Sequence, residues 1–362
     1  LGPLNLLLKI PGQGFPCPPD PPVERLGRAR APVFLLLTLW FILAQMAGQA
    51  SGVPQGGYAH PEALMQPEEL KAAIDRQDPH LRIIDVRHKA KYYLGHVPGA
   101  QQVWRPLLEN SKGPGLMPPQ SQMETLLGRL GVGGKDTLVL YGDQFDHARL
   151  WLILAYYGFP LERMKLLDGG LEGWKSKGYP TQITSPRFKR TRFKLPGPGE
   201  KQTLTATLAE VKGAGQNPRK VIVDTRSQKE YLGEETKEGA ARTGHIPSAV
   251  WLEWKETKVA AGPHKGFWKT GNEIKNIYAA KGVIPDKDIY LYGHRGLTPP
   301  HSLVSLYLAG YPLEKLHFYA GSWVEWSRTQ EPVETGGLAP PAKPEKPQKK
   351  PKTRTSGLKA KP

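Results

Sequence analysis

Short, unbroken apolar runs alternate with longer stretches of helical spacing through the middle of the chain. Four runs rich in β-branched and aromatic residues, at 83–86, 138–141, 221–224 and 289–292, predict buried strands. Stretches such as 149–157 and 301–308 predict helices. Strands alternating with helices imply an α/β fold, with mostly parallel sheets flanked by helices. A glycine follows the Leu-Tyr pair at two of the strand ends, Gly142 and Gly293. These glycines stand where a strand gives way to a helix, the place where open α/β sheets gather ligands.

The pattern is written twice. Segments 83–104 and 221–254 both read apolar run, Asp-x-Arg, Tyr-Leu-Gly, Gly-His-apolar-Pro-small-Ala and Val-Trp. Asp85 and Asp224 are 139 residues apart, and His96 and His245 are 149 apart, so the second copy has ten extra residues between Leu232 and Gly244. A surface loop absorbs such an insertion cheaply. Two further blocks, 135–144 with 287–295 and 167–174 with 319–326, recur in the same order. One duplicated fold follows. Its expected organisation is a first domain at 58–183, a linker rich in Pro, Gly and charge at 184–202, a second domain at 203–330 and a disordered tail at 331–362.

Composition changes this picture mainly at the ends. The chain has 362 residues, a formal charge of +17 and a single cysteine, Cys17, which excludes an intramolecular disulfide and any cysteine-based metal site. Residues 25–50 run basic, apolar, then small, the plan of a secretory signal with cleavage after Ala50. Export to a periplasmic or extracellular location is the expectation, and an uncleaved N-terminal membrane anchor or a spurious translated leader, the first methionine being Met46, is the alternative. From Pro340 the tail carries +7 and six prolines, too little apolar surface to order itself. Its expected partner is an anionic membrane or cell-surface polymer; nucleic acid has charge alone in its favour. With no HExxH spacing, Walker loop or dinucleotide fingerprint, neither a metal nor a cofactor is expected.

Together, the Asp-x-Arg pair, the Gly-His-apolar-Pro-small-Ala element, the strand-loop-helix glycine and the late tryptophan of each copy resemble the tandem rhodanese-like sulfurtransferases. The likeness covers nearly all of residues 60–330. It implies an active second domain with Tyr-Cys-x-x-Gly-x-[Thr/Arg] after a strand. Aligning Tyr292, Gly296 and Thr298 puts Gly293 at the cysteine position, and the first-domain loop, from Gly142, also lacks cysteine. Such a loop curls its backbone N–H groups around the first side chain, at the positive end of a helix, and so favours a thiolate or persulfide. Double displacement stores sulfur covalently, and glycine has no group to hold it.

The expectation is therefore a pseudoenzyme with no catalytic residue of the usual kind. Gly293, His294, Arg295, Gly296, Leu297 and Thr298 would form an anion-binding loop for thiosulfate or sulfite, supported by Asp224 and Arg226, or the module would bind a partner. Glu230, where some members of the family have an anion-binding arginine, counts against the anion. The alternative is an active sulfurtransferase that works with a partner's thiol or another nucleophile. His96 and His245 are read as hydrogen-bonded turn residues, and Trp326 as core.

Overall fold

Each of the four apolar runs becomes a central strand. The computed structural model describes residues 56–113 and 115–337, so the signal-like leader, Cys17 and the tail beyond residue 337 lie outside the described residues. In the first domain β1 (Leu64–Met65), β2 (Leu81–Asp85), β3 (Ala100–Gln102), β4 (Thr137–Tyr141) and β5 (Met164–Leu167) form a sheet of order β1-β5-β4-β2-β3. In the second, β6 (Thr205–Ala206), β7 (Lys220–Asp224), β8 (Val250–Trp251), β9 (Asp288–Tyr292) and β10 (Leu316–Tyr319) repeat it as β6-β10-β9-β7-β8. Every pairing is parallel. Helices cover both faces, so the inner strands are buried on both sides and read as continuous apolar runs rather than alternating ones.

The Gly-His-apolar-Pro elements are structural turns. His96 stacks on Tyr92 at 3.7 Å and its Nδ1 lies 2.9 Å from the Tyr92 carbonyl; His245 stacks on Tyr231 at 3.7 Å with Nδ1 2.7 Å from the Tyr231 carbonyl. Trp326 is buried in the second-domain core beside Trp323.

The domains meet through two helices, Asp146–Tyr156 and Pro299–Leu308. Nearly every residue of both is buried, and the rings of Trp151 and Tyr307 meet at 5.3 Å. One apolar cluster runs through both domains.

Two segments differ from their sequence reading. The stretch at 184–202 is docked on the first domain rather than strung between the two. Thr191 N–H donates to Gly128 O at 2.9 Å, Thr191 Oγ1 donates to Val132 O at 2.6 Å, and Leu195 is buried. Its charge and proline hid the apolar anchors Phe193 and Leu195. The start of the expected tail is also ordered: Glu334 exchanges backbone hydrogen bonds with His245, and Gly336 N–H donates to Leu232 O at 3.0 Å. Val333 packs on the core, so ordering extends beyond the composition boundary.

Candidate functional site

The second-domain loop starts from a clasp at the ends of β7 and β9. Arg226 grips Asp224 with Nε at 3.0 and 3.1 Å from the two carboxylate oxygens and Nη2 at 2.6 Å, and donates onward to Gly244 O at 2.7 Å. Tyr292 Oη donates to Asp224 Oδ2 at 2.5 Å. Burial works against the Arg226 charge, but the adjacent Asp224 carboxylate holds its pKa above the ordinary value. Asp224 and Arg226 thus fix the strand ends and the entry into the loop.

Gly293 is enclosed by its neighbours. Its N–H donates to Ser322 Oγ at 3.2 Å, and its carbonyl accepts from Trp323 N–H at 3.0 Å. A Cβ on Gly293 would lie 2.4 Å from Thr298 Oγ1 and 3.0 Å from Pro299 Cδ. The Thr298 hydroxyl therefore stands in the space that a side chain at position 293 would need. It lies 2.8 Å from Thr225 Oγ1, whose own proton goes to Tyr292 O at 2.9 Å, so Thr298 is the donor in that pair. The helix then starts at Pro299, where a missing N–H costs little.

The mouth of the loop is a cavity of 520 Å³ in which cations and carboxylates are matched. Lys237 lies 2.5 Å from Glu230 Oε2, and Lys255 lies 2.9 Å from Glu253. Arg295 Nη2 donates to Glu238 O at 2.7 Å. His294 Nε2 donates to the same carbonyl at 2.9 Å, which leaves Nδ1 facing Glu230 Oε1 across 3.6 Å. Both atoms are buried without a hydrogen-bond partner. Burial lowers the His294 pKa, against the pull of Glu230. A proton, or the donor group of a ligand, placed between them would satisfy both. The structure brings His294, Arg295, Leu297 and Thr298 to the cavity together with Arg226, while Gly293 does not line it and Gly296 turns back to the first domain.

That contact belongs to Arg149, in the first-domain helix Asp146–Tyr156. Its Nη1 donates to Gly296 O at 3.2 Å and to Gly115 O at 3.4 Å, and its Nη2 donates to Leu108 O and Leu116 O, each at 3.1 Å. Arg149 is fully buried, and burial lowers its pKa to about 10. Gly115 packs so closely that a Cβ there would be 2.4 Å from both Arg295 O and Ala320 O.

The first domain repeats the loop with a different filler. A Cβ on Gly142 would lie 2.9 Å from Val86 Cγ2 and 3.3 Å from His147 Nδ1. His147 and Thr298 each follow their glycine by five residues.

Several participants were not singled out from sequence. Lys237 and Glu238 lie in the ten-residue insertion, whose position in the second copy alone was the available signal. Ser322 takes the place of Gly170 in the repeat, with φ +52°, close to the glycine's +55°. Arg149 had no signal, because its role depends on the packing of the two copies.

Comparison with known proteins agrees with this architecture. The rhodanese-like domain family matches residues 66–177 and 207–329. A protein called sulfur carrier protein TtuD, from Thermus thermophilus, is 32% identical over 293 residues, covering 75% of this chain and 95% of that protein. A thiosulfate sulfurtransferase of Azotobacter vinelandii is 32% identical over 281 residues, covering 75% of this chain and 96% of that one. Among solved structures, an anaerobic ergothioneine biosynthesis enzyme from Chlorobium limicola, bound to trimethyl histidine, shares the fold with a TM-score of 0.66 at 23% identity, over 77% of this chain and 72% of that one. With two matching sheets, two matching loops and both domains covered by one family, the chain belongs to the rhodanese family, as a tandem of two rhodanese-like domains.

Proposed function

We propose that this protein is a rhodanese-homology binding module that does not carry out ordinary thiosulfate sulfur transfer, and that its second-domain loop receives a small sulfur oxyanion such as thiosulfate or sulfite at the mouth of the cavity. The observation that carries the reading is the filled space over Gly293. No cysteine stands among the described residues, and the Thr298 hydroxyl occupies the position next to the glycine. Without a thiol, the loop has no atom on which to hold sulfur between donor and acceptor. An anion would meet Arg295 and the positive end of the helix that begins at Pro299, and His294 would donate to it only when protonated. Secretion through residues 25–50 and attachment of the basic tail to an anionic surface belong to the same reading.

The relatives' names favour a second reading, in which the fold transfers sulfur with a thiol supplied by a partner. Cyanide-dependent thiocyanate formation separates the two. Purified protein with thiosulfate and cyanide gives no thiocyanate above the uncatalysed rate on the first reading, and calorimetry detects sulfite binding that weakens in Arg295→Ala. Turnover by the protein alone overturns that reading; turnover only after adding a thiol supports the second.

A further inference from the structure

A larger cavity lies at the first-domain loop. It has a volume of 1090 Å³ and is bounded by residues 142–144, by 167–176 and by a strap from the second domain, 254–266. The strap is fixed from both sides. Phe267 lies over two glycines, so that a Cβ on Gly169 would be 2.4 Å from its ring and one on Gly173 2.9 Å. Asp168 Oδ1 accepts the Trp268 N–H at 2.9 Å. Val259 N–H donates to Phe267 O and Gly266 N–H to Val259 O, each at 2.9 Å, which closes the strap into a hairpin-like turn.

The charged groups in this cavity are not matched as those of the second-domain mouth are. Six cationic side chains line it against two carboxylates, Asp143 and Glu172. Arg87, Lys91, Lys175 and Lys255 are each paired with a carboxylate. Lys258 and Lys265 form no ion pair among the described residues, and the Lys258 ammonium rests 3.8 Å over the Trp268 ring. Lys265 is exposed at the rim.

Deeper, His147 is only 4% exposed, and its Nδ1 is buried with no hydrogen-bond partner, beside Gly142 in the cavity wall. Burial lowers its pKa to about 3, so the ring is neutral at physiological pH and carries one N–H to offer. Burial also lowers the Lys258 pKa to about 8, with Asp168 pulling the other way, and the amine stays mostly protonated near neutrality. The remaining wall is apolar: Leu167, Leu171 and Val259 line it, and Leu94 stands at its edge with 86% of its surface exposed.

An unpartnered buried imidazole nitrogen, an unpaired cation on a ring face and an apolar wall together describe a ligand. A bare oxyanion is far smaller than 1090 Å³ and would leave the apolar wall in contact with water. We propose that the first-domain cavity is a second ligand site, taking an organic anion whose carboxylate or sulfonate head lies between His147 and Lys258 and whose apolar body rests on Leu94, Leu171 and Val259. The site adjoins the second-domain cavity and shares Gln144, Trp254 and Lys255 with it, but His147 and Lys258 do not line that cavity, so the proposal does not depend on the reading given to the second-domain loop.

Naphthalene-2-sulfonate, an anionic head on an apolar ring body, is the probe. Calorimetric titration of the full chain is expected to show one site. Lys258→Met and His147→Phe weaken it at least tenfold, and Arg295→Ala, in the other loop, leaves it within twofold. Lys265→Glu reverses an exposed charge, leaves the core untouched and weakens binding severalfold, which keeps the test decisive if a buried variant does not fold. Absence of binding to the unaltered chain overturns the proposal. So does equal affinity in Lys265→Glu, or a loss produced by Arg295→Ala instead.

Discussion

The two strand-end loops share a plan and differ in how it is completed. In each, a glycine ends the strand and the residue five positions later fills the space above it. In the second domain the filler is Thr298, whose hydroxyl is satisfied by Thr225, and the surrounding charges are largely matched. In the first domain the filler is His147, which leaves a nitrogen without a partner under a cavity twice as large. The loop plan is shared, and the filler residue is one of several differences that separate the two sites. The second-domain loop is filled over Gly293 and leaves only the His294–Glu230 pair at its mouth unsatisfied, whereas its counterpart keeps an unpartnered imidazole nitrogen and two lysines outside any ion pair among the described residues.

The buried arginine that one interface helix extends into the other copy's loop also has no counterpart in the repeat. Arg149 reaches from the first domain to Gly296 in the second-domain loop, and the position equivalent to Arg149 in the second domain is Pro300, which offers no side-chain donor. Arg149→Met is expected to give the largest effect. It strands three buried carbonyl groups and a half-buried one, each buried group costing about 1 kcal/mol or more when left without a donor. A loss of about 3 kcal/mol or more in urea unfolding, with the second-domain loop becoming more open to amide hydrogen exchange than the first, is the expected result. Equal exchange in both loops would break the asymmetry.

Sequence patterning reached the repeat and the strands because each central strand is buried on both faces and leaves an uninterrupted apolar run. It also reached the clasp of Asp224 and Arg226, since two charges flanking one residue at a strand end have a local partner. The fillers were harder to see. Thr298 was legible only as a motif residue, and His147 not at all, because their meaning depends on a distance across the loop rather than along it. The docking of the linker was hidden for a related reason: Thr191, Phe193 and Leu195 are spaced among charges, and their partners, Gly128 and Val132 for Thr191, Phe159 for Phe193 and Glu124 for Leu195, lie far away in sequence.

A second test exploits burial of the histidines. The neutral form of His147 is favoured in the folded state, with its pKa lowered to about 3, and burial lowers His301 in the same direction. The unfolded chain, with histidines near 6.5, therefore binds more protons than the folded one as pH falls below about 6.5. Stability from each group is complete above that pH and declines as acid is added, for His147 by about 2 kcal/mol at pH 5. Urea midpoints measured from pH 7 to pH 5 should fall, and His147→Phe should make that fall shallower. Thr298→Val, the matching change in the other loop, should leave it unaltered. A slope that survives His147→Phe in full would mean that the first-domain filler does not carry the difference.

The smallest expected effect addresses the fillers directly. Gly293→Ala places a methyl group 2.4 Å from Thr298 Oγ1, so the threonine must turn and give up its bond to Thr225. A cost of about 1–2 kcal/mol is expected, in the range of overpacking. Removing the hydroxyl with Thr298→Ala opens the space, and the double variant should recover about 1 kcal/mol relative to additive behaviour. In the first domain the tightest contact of a methyl on Gly142 is Val86 Cγ2 at 2.9 Å, with His147 Nδ1 further away at 3.3 Å. Gly142→Ala should therefore couple more strongly to Val86→Ala than to a change at His147. Opposite results in the two cycles, with coupling to the filler at 293 and to the strand neighbour at 142, would establish that the second-domain loop is held shut by its own threonine. The first-domain imidazole would then be free to turn toward a ligand.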